Sequence, residues 1–309
     1  LNLSYLKKIN SDKFMLPEAL ATYTDFLRNG NKSLYTITGY KRDMKAFISW
    51  HVTKHGTVCD IAAVAPMDIV DYRQTLIARG KKPSTVNRAL AAIKAFFAWA
   101  VRAGHIKYNP AEDIRPVPVA GVAAPGWLSR AEQHRLVRTV QERGLSRDLA
   151  IIALMLFAGL RVGEVVALRT EDIEIRERSG WVTVREGKGG KYRRVPLNKT
   201  ARELISPYWS EKKSGWLFSS PRCGKETGQK PLTTRAVHMM LNKYGYMARI
   251  PNLHPHMLRH SFCKNLLDAG EDLATVARLA GHSTLEVTRR YVEPSAEDLA
   301  AAVEMVAWN

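Results

Sequence analysis

Polar chemistry gathers in the last fifty or so residues of this chain. His254, His256, Arg259 and His260 fall within seven positions, Gly281-His282-Ser283 follows, and Tyr291 stands nine residues beyond His282. Upstream, Arg161 emerges from the most apolar stretch of the sequence with Glu164 three residues on, and Lys188 sits in Glu186-Gly187-Lys188-Gly189-Gly190-Lys191. Singly, each has an ordinary use as a capping histidine, a solvated cation or a half-buried aromatic. Together they suit a phosphodiester under attack, whose negative charge spreads over its non-bridging oxygens. The guanidiniums of Arg161 and Arg259 donate in fork geometry and remain charged at any working pH. His256, one helical turn from Arg259, adds a hydrogen bond and a route for a proton, and His282 can bond the same phosphate. Lys188, on a glycine-flanked hairpin tip, is placed to protonate a leaving oxygen, with Lys191 as the alternative. Tyr291 offers a phenolic oxygen for covalent attack, its phenolate favoured by the surrounding cations. No carboxylate cluster of the two-metal kind is legible, so this chemistry calls for no metal and no cofactor, and conserves the bond energy in a phosphotyrosine link.

The elements that must position these groups follow from pattern. With 309 residues the chain suits two domains. A first helix opens at Pro17, with Leu20, Tyr23, Phe26 and Leu27 at helical spacing, and ends at Gly30. Ser33 caps a second, with Tyr40, Met44, Phe47 and Ile48 buried and Lys41, Arg42 and Lys45 on its wetter side. Pro66 starts a third, stopped by Arg79-Gly80. Lys81-Lys82-Pro83 leads into a fourth through Val86, Leu90, Ile93, Phe96 and Phe97. Residues 114–126, rich in proline, glycine and small apolar residues, read as an extended linker. Beyond it, Ser129 to Glu132 form a cap-then-acid helix start. Leu149 to Phe157 is apolar on nearly all sides and must be central. Trp181 to Arg185 and Arg193 to Leu197 alternate as paired strands. Residues 206–232 read as loop-rich around a packed Trp216-Leu217-Phe218. Helices then follow at 234–244, 256–269 and 273–280, and an amphipathic tail helix at 295–308.

Composition narrows the partner. Lys and Arg number 47 against 29 Asp and Glu, a formal charge of +18, which creates a field that attracts polyanions and makes nucleic acid the natural partner. No apolar run reaches the length of a membrane span. The three cysteines, Cys59, Cys223 and Cys263, show no metal spacing and leave an odd count, so a reduced intracellular setting is expected; for a chain that binds DNA, the expected location is the cytoplasm, in association with the nucleoid. The Gly-Lys-Gly-Gly-Lys run lacks the spacing of a nucleotide phosphate loop. Lys41, Arg42, Lys81, Lys82, Arg88 and Lys94 are candidates for contacts to a DNA backbone.

Taken in order, Gly-Leu-Arg-Val-Gly-Glu at 159–164, Gly-Lys-Gly-Gly-Lys at 187–191, His-Met-Leu-Arg-His-Ser-Phe at 256–262, Leu-Ala-Gly-His-Ser at 279–283 and Tyr291 make the chain resemble the tyrosine recombinases, or phage-integrase family. The resemblance implies a mainly α fold with a small β-sheet: a helical core-binding domain at 16–113 after a short arm at 1–15, a linker at 114–126, and an α+β catalytic domain at 127–309. It implies that Arg161 and Arg259 bind the phosphate, Lys188 is the hairpin lysine, His256 and His282 are the paired histidines, and Tyr291 is the nucleophile. Glu164 would be a supporting acid and His260 a structural neighbour. The partner implied is a double-stranded DNA recombination site, held by a homotetramer that exchanges carboxy-terminal helices and works with accessory proteins. The short arm favours resolution of cointegrates, plasmid dimers or chromosome dimers over phage integration. Two alternatives are a type IB topoisomerase and a non-catalytic DNA-binding regulator of the same fold. The Gly-His-Ser segment and the tail argue against the first, and the intact set of six residues against the second.

Overall fold

A computed structural model describes residues 13–30, 32–118, 126–185, 192–212, 214–220, 230–282, 284–289 and 303–304. The chain divides into two compact units, Leu1–Val122 and Ala123–Asn309. No described helix is long and apolar enough to cross a membrane.

The first unit contains four long helices: α1 (Leu16–Asn29), α2 (Leu34–His55), α3 (Pro66–Ala78) and α4 (Pro83–Arg102). Pro17, Pro66 and Pro83 fall in first turns, where the missing N–H has no intrahelical partner to lose. Ser33 caps α2 by accepting the Thr36 N–H at 3.1 Å. Helix α4 is the centre, packing on the other three and burying Val86, Ile93, Phe96 and Phe97. Tyr23 of α1 meets Phe96 edge-on, ring centroids 5.4 Å apart, a geometry aromatic quadrupoles favour. The start of the linker does not behave as a spacer. The Asn87 side-chain amide binds both the N–H and the C=O of Val117, and Arg73 donates to the Arg115 carbonyl, so residues through 117 are fastened to this unit.

The second unit is built on α6 (Ser146–Phe157), whose residues from Ala150 to Leu156 are all buried. Around it lie α5 (Arg130–Arg143), α8 (Lys199–Trp209), α9 (Thr234–Met247) and α10 (Pro255–Asp268). The short α7 (Val162–Val166) follows α6, and α11 (Leu273–Ala280) and α12 (Leu285–Arg289) follow α10. The Ser129–Glu132 capping box opens α5 as expected, each side chain bonding the other residue's backbone N–H. A three-stranded antiparallel sheet orders β1 (Ile173–Ile175), β2 (Gly180–Val184) and β3 (Arg193–Pro196). Its register aligns Ile173, Val182 and Val195 across the buried face.

Two sequence expectations need correction here. Strand β1 was not expected, since three residues are too short to show alternation. Residues 206–209 are not loop but the end of α8, a helix capped by Asn198 and buried along Ala201, Leu204, Ile205 and Tyr208. Pro207 disguises it: without an N–H it cannot bond the Glu203 carbonyl, and the helix ends two residues later. The 295–308 tail helix lies outside the described residues except 303–304, which are helical.

Candidate active site

The site begins where α6 ends. Gly159 takes φ +64 and turns the chain, and a Cβ there would sit 2.2 Å from Cδ1 of Phe262, so both conformation and space require glycine. Two residues later Arg161 stands at the N-cap of α7. Its N–H donates to Glu164 Oε2 and its Nη1 to Glu164 Oε1, both at 2.8 Å, while Nη2 reaches across to the Gly281 carbonyl at 2.7 Å.

Arg259 arrives on α10. That helix starts at Pro255 and sets His256, Arg259 and His260 on one face by their three- and four-residue spacing. Arg259 is 3% exposed, which a guanidinium tolerates only with partners. It donates through Nη1 to the Gly159 carbonyl and through Nη2 to the Ala280 carbonyl. Burial, then the Arg161 charge, bring its pKa down to about 10, so it stays cationic at neutral pH. The imidazoles of His256 and His260 stack at 5.9 Å.

His282 comes from the end of α11, where Gly281 adopts φ +67 and closes the helix in left-handed conformation. Its N–H bonds the Ala277 carbonyl, and Nδ1 lies 2.8 Å from the hydroxyl of Thr288, a fully buried residue of α12. Three histidines therefore face two arginines, and all three are pushed toward the neutral form. Burial acts first on each. Arg259 and Arg161 then lower His282 to about 4, and His256 and Arg259 lower His260 to about 4. His256, more open on one side, shifts in the same direction through burial, His254 and Arg259. This is a pocket with surplus positive potential and neutral hydrogen-bonding rings, suited to an anion with several oxygens.

The structure thus brings together Arg161, Glu164, His256, Arg259, His260 and His282. Lys188 and Tyr291 lie outside the described residues. In sequence, Lys188 belongs to the connection between β2 and β3, and Tyr291 follows the end of α12 by two positions.

One member was missed. Arg193 opens β3, and its Nη1 and Nη2 meet Glu164 Oε1 and Oε2 at 2.9 and 2.8 Å, with Nε on the Leu279 carbonyl. Burial alone would raise the Glu164 pKa. The hydrogen bonds and charge of Arg193, followed by the backbone N–H and charge of Arg161, outweigh it and hold the carboxyl at about 2. The available signal was parity: Arg193 has the same strand phase as buried Val195, so a cation there points inward. Thr288, the partner of His282, carried no signal of its own.

Among the described residues no group of three possible metal ligands lies in this site; the one such group is His51, His55 and Asp68 of the first unit. Of the candidate backbone contacts, Lys41, Arg42, Lys81 and Lys82 are exposed. Arg88, also exposed, clamps the buried Asp43 through Nε at 2.8 Å and Nη2 at 3.1 Å, and Lys94 donates to the Glu112 carbonyl.

Comparison with known proteins bears on the family and the fold. Residues 126–298 match the phage integrase family, and residues 20–104 match the phage integrase N-terminal SAM-like domain. The tyrosine recombinase XerC of Xanthomonas campestris pv. campestris (strain B100) is 33% identical over 273 residues, covering 87% of this chain and 81% of that protein. The XerC of Thermodesulfovibrio yellowstonii is 31% identical over 274 residues, covering 86% and 87%. Among solved structures, the XerH site-specific recombinase bound to a palindromic difH substrate aligns with a TM-score of 0.72 at 20% identity, over 92% of this chain and 83% of that one. A lambda integrase dimer bound to a COC′ core site aligns at 0.69 with 18% identity, over 99% and 83%. At these identities the structural likeness speaks for the fold.

Proposed function

The chain belongs to the phage integrase family and is a tyrosine recombinase, and from that premise we propose that its six sequence-marked residues act on one DNA phosphodiester. Arg161 and Arg259 bind the non-bridging oxygens. The Tyr291 oxygen attacks phosphorus, the bond to the 5′ oxygen breaks, and Lys188 gives that oxygen its proton. The product is a 3′-phosphotyrosine and a free 5′-hydroxyl. Attack by the 5′-hydroxyl of a partner strand reverses the chemistry, releases the tyrosine and, after one strand from each duplex has exchanged, leaves a Holliday junction. His256 and His282, kept neutral by their surroundings, are able to donate a hydrogen bond to the phosphate and to accept a proton.

The observation that carries this reading is the anchoring of both guanidiniums on consecutive carbonyls, Ala280 and Gly281, beside His282. Their donors are thereby preorganised before any anion arrives, which is where electrostatic catalysis gains most.

In this reading residues 16–113 form the core-binding domain, 127–309 the catalytic domain, and the two hold a double-stranded recombination site in a homotetramer through carboxy-terminal helix exchange. Resolution of cointegrates or of plasmid or chromosome dimers is the biological role favoured, with accessory proteins setting its direction and the cytoplasmic nucleoid as its place.

Incubation with a nicked duplex bearing the recombination site tests the chemistry. A covalent protein–DNA adduct is expected from the wild type and none from Tyr291→Phe. An adduct that persists in the phenylalanine variant removes Tyr291 from the nucleophile's role.

A further inference from the structure

In the first unit, far along the sequence from the catalytic motifs, three side chains with metal-binding atoms converge, and a fourth stands beside one of them. His51 and His55 lie four residues apart near the end of α2 and so share a face. Their rings are 4.3 Å apart between centroids. Asp68, in the first turn of α3, receives both: His55 Nε2 is 2.9 Å from Oδ1, and His51 Nε2 is 3.7 Å from Oδ2. Cys59, in the connection between the helices, places Sγ 3.7 Å from the same His51 Nε2.

The separations within the trio of His51, His55 and Asp68 fit one ion. Nitrogen, oxygen and sulfur atoms bound to a tetrahedral zinc at about 2.0–2.3 Å lie roughly 3.3–3.7 Å from one another. The ligand atoms of His51, His55 and Asp68 all fall within 4.8 Å of each other. Asp68 is also oriented from behind, because Oδ2 accepts the Ala65 N–H at 3.0 Å, the kind of outer support that ligating carboxylates carry. The competing cation is Lys54, whose Nζ is 3.5 Å from Asp68 Oδ1 but much closer, at 2.5 Å, to Asp71. It has a second carboxylate to keep when a metal takes its place at Asp68.

We propose that His51, His55 and Asp68 bind a divalent zinc-class ion that ties the end of α2 to the start of α3, and that the Cys59 side chain, beside His51 in the free protein, closes on the ion as its fourth ligand. Two imidazoles, a carboxylate and a thiolate are the donor set that borderline-soft Zn2+ prefers over the oxygen-seeking Mg2+ or Ca2+. Binding releases the Cys59 thiol proton to solvent and joins the sulfur to the metal. The site is structural: its ligands close the coordination shell, and it holds the helical unit that the sequence comparison assigns to the N-terminal SAM-like domain.

The full-length protein, stripped with a chelator and titrated with Co2+ as a spectroscopic stand-in for zinc, tests this. The wild type is expected to bind one more equivalent than His55→Gln, with visible bands of tetrahedral intensity and a near-ultraviolet sulfur-to-cobalt band. That near-ultraviolet band is expected to vanish in Cys59→Ser. Zinc should raise the thermal midpoint of the wild type and leave that of His55→Gln unmoved. His55 is partly exposed, so its replacement is compatible with folding, and circular dichroism verifies this. Equal stoichiometry and spectra in wild type and His55→Gln overturn the site. An unchanged sulfur band in Cys59→Ser overturns the four-ligand assignment without reference to His55.

Discussion

Arg193 grips both oxygens of the Glu164 carboxylate, and the same carboxylate holds Arg161 by side chain and by backbone. Glu164 is 7% exposed, so this is a buried cation–anion–cation arrangement in which each member depends on the others. Arg161 therefore owes its aim to a residue on β3 that has no sequence neighbour in the site.

Removing Arg193 leaves Glu164 buried with half its partners. Arg193→Ala is expected to cost about 3–5 kcal/mol of stability, the range for breaking a buried ion pair, and Arg193→Lys to recover only part of it because a point ammonium cannot reproduce the fork. Urea unfolding curves measure both. A variant within about 0.5 kcal/mol of wild type would mean that the clamp contributes little.

The same carboxyl fixes an acid limit. Its folded pKa, about 2, lies below the unfolded value of 4.5, so the unfolded state binds its proton first as pH falls. Its contribution is whole above pH 4.5 and drains away toward pH 2, amounting to about 3 kcal/mol at most. Glu164→Gln should remove that segment of the stability–pH curve while leaving the curve above pH 5 parallel to wild type.

The histidines set an earlier limit. His260 and His282, at about 4 when folded against 6.5 unfolded, are also protonated first in the unfolded chain. Stability should be complete above pH 6.5 and decline between 6.5 and 4. Nuclear magnetic resonance titration of the His282 ring is expected to show a midpoint near 4 in the free protein and a higher one when a phosphate diester occupies the pocket. A midpoint near 6.5 in the free protein would remove the electrostatic pressure inferred for this site.

Gly159→Ala is expected to destabilise by about 2–4 kcal/mol, combining a left-handed backbone with a collision against the Phe262 ring. It also displaces the Gly159 carbonyl that receives Arg259. Cleavage of the nicked duplex should fall by more than stability alone explains, measured at a temperature where the variant is fully folded.

Arg161→Ala should lose about 3 kcal/mol of transition-state stabilisation in cleavage while binding duplex nearly as wild type, because one guanidinium among many cations adds little to affinity. Arg259→Ala should lose cleavage and stability together, since it strands the Gly159 and Ala280 carbonyls. Equal loss of binding and cleavage in Arg161→Ala would contradict this division.

Much of the architecture was readable because its signals are local. Proline at helix starts, Ser33 and Ser129 as caps and the apolar run of α6 each declare themselves within a few residues. The catalytic candidates were readable because residue types of such cost cluster at few positions. What escaped depends on pairing across long separations. Arg193 becomes part of the site only through Glu164, 29 positions away, and the clamp of Arg88 on Asp43 spans 45 positions. Likewise β1 exists only because β2 offers it an edge.

Ala280 and Gly281 are neighbours, and each supplies the carbonyl that one site arginine holds. Two successive peptide units thus hold one guanidinium each, so main-chain geometry sets the spacing of the two site arginines. If, as proposed, these arginines hold the scissile phosphate, the span of that grip rests on the main chain, and side chains elsewhere in the protein are free to vary without altering it.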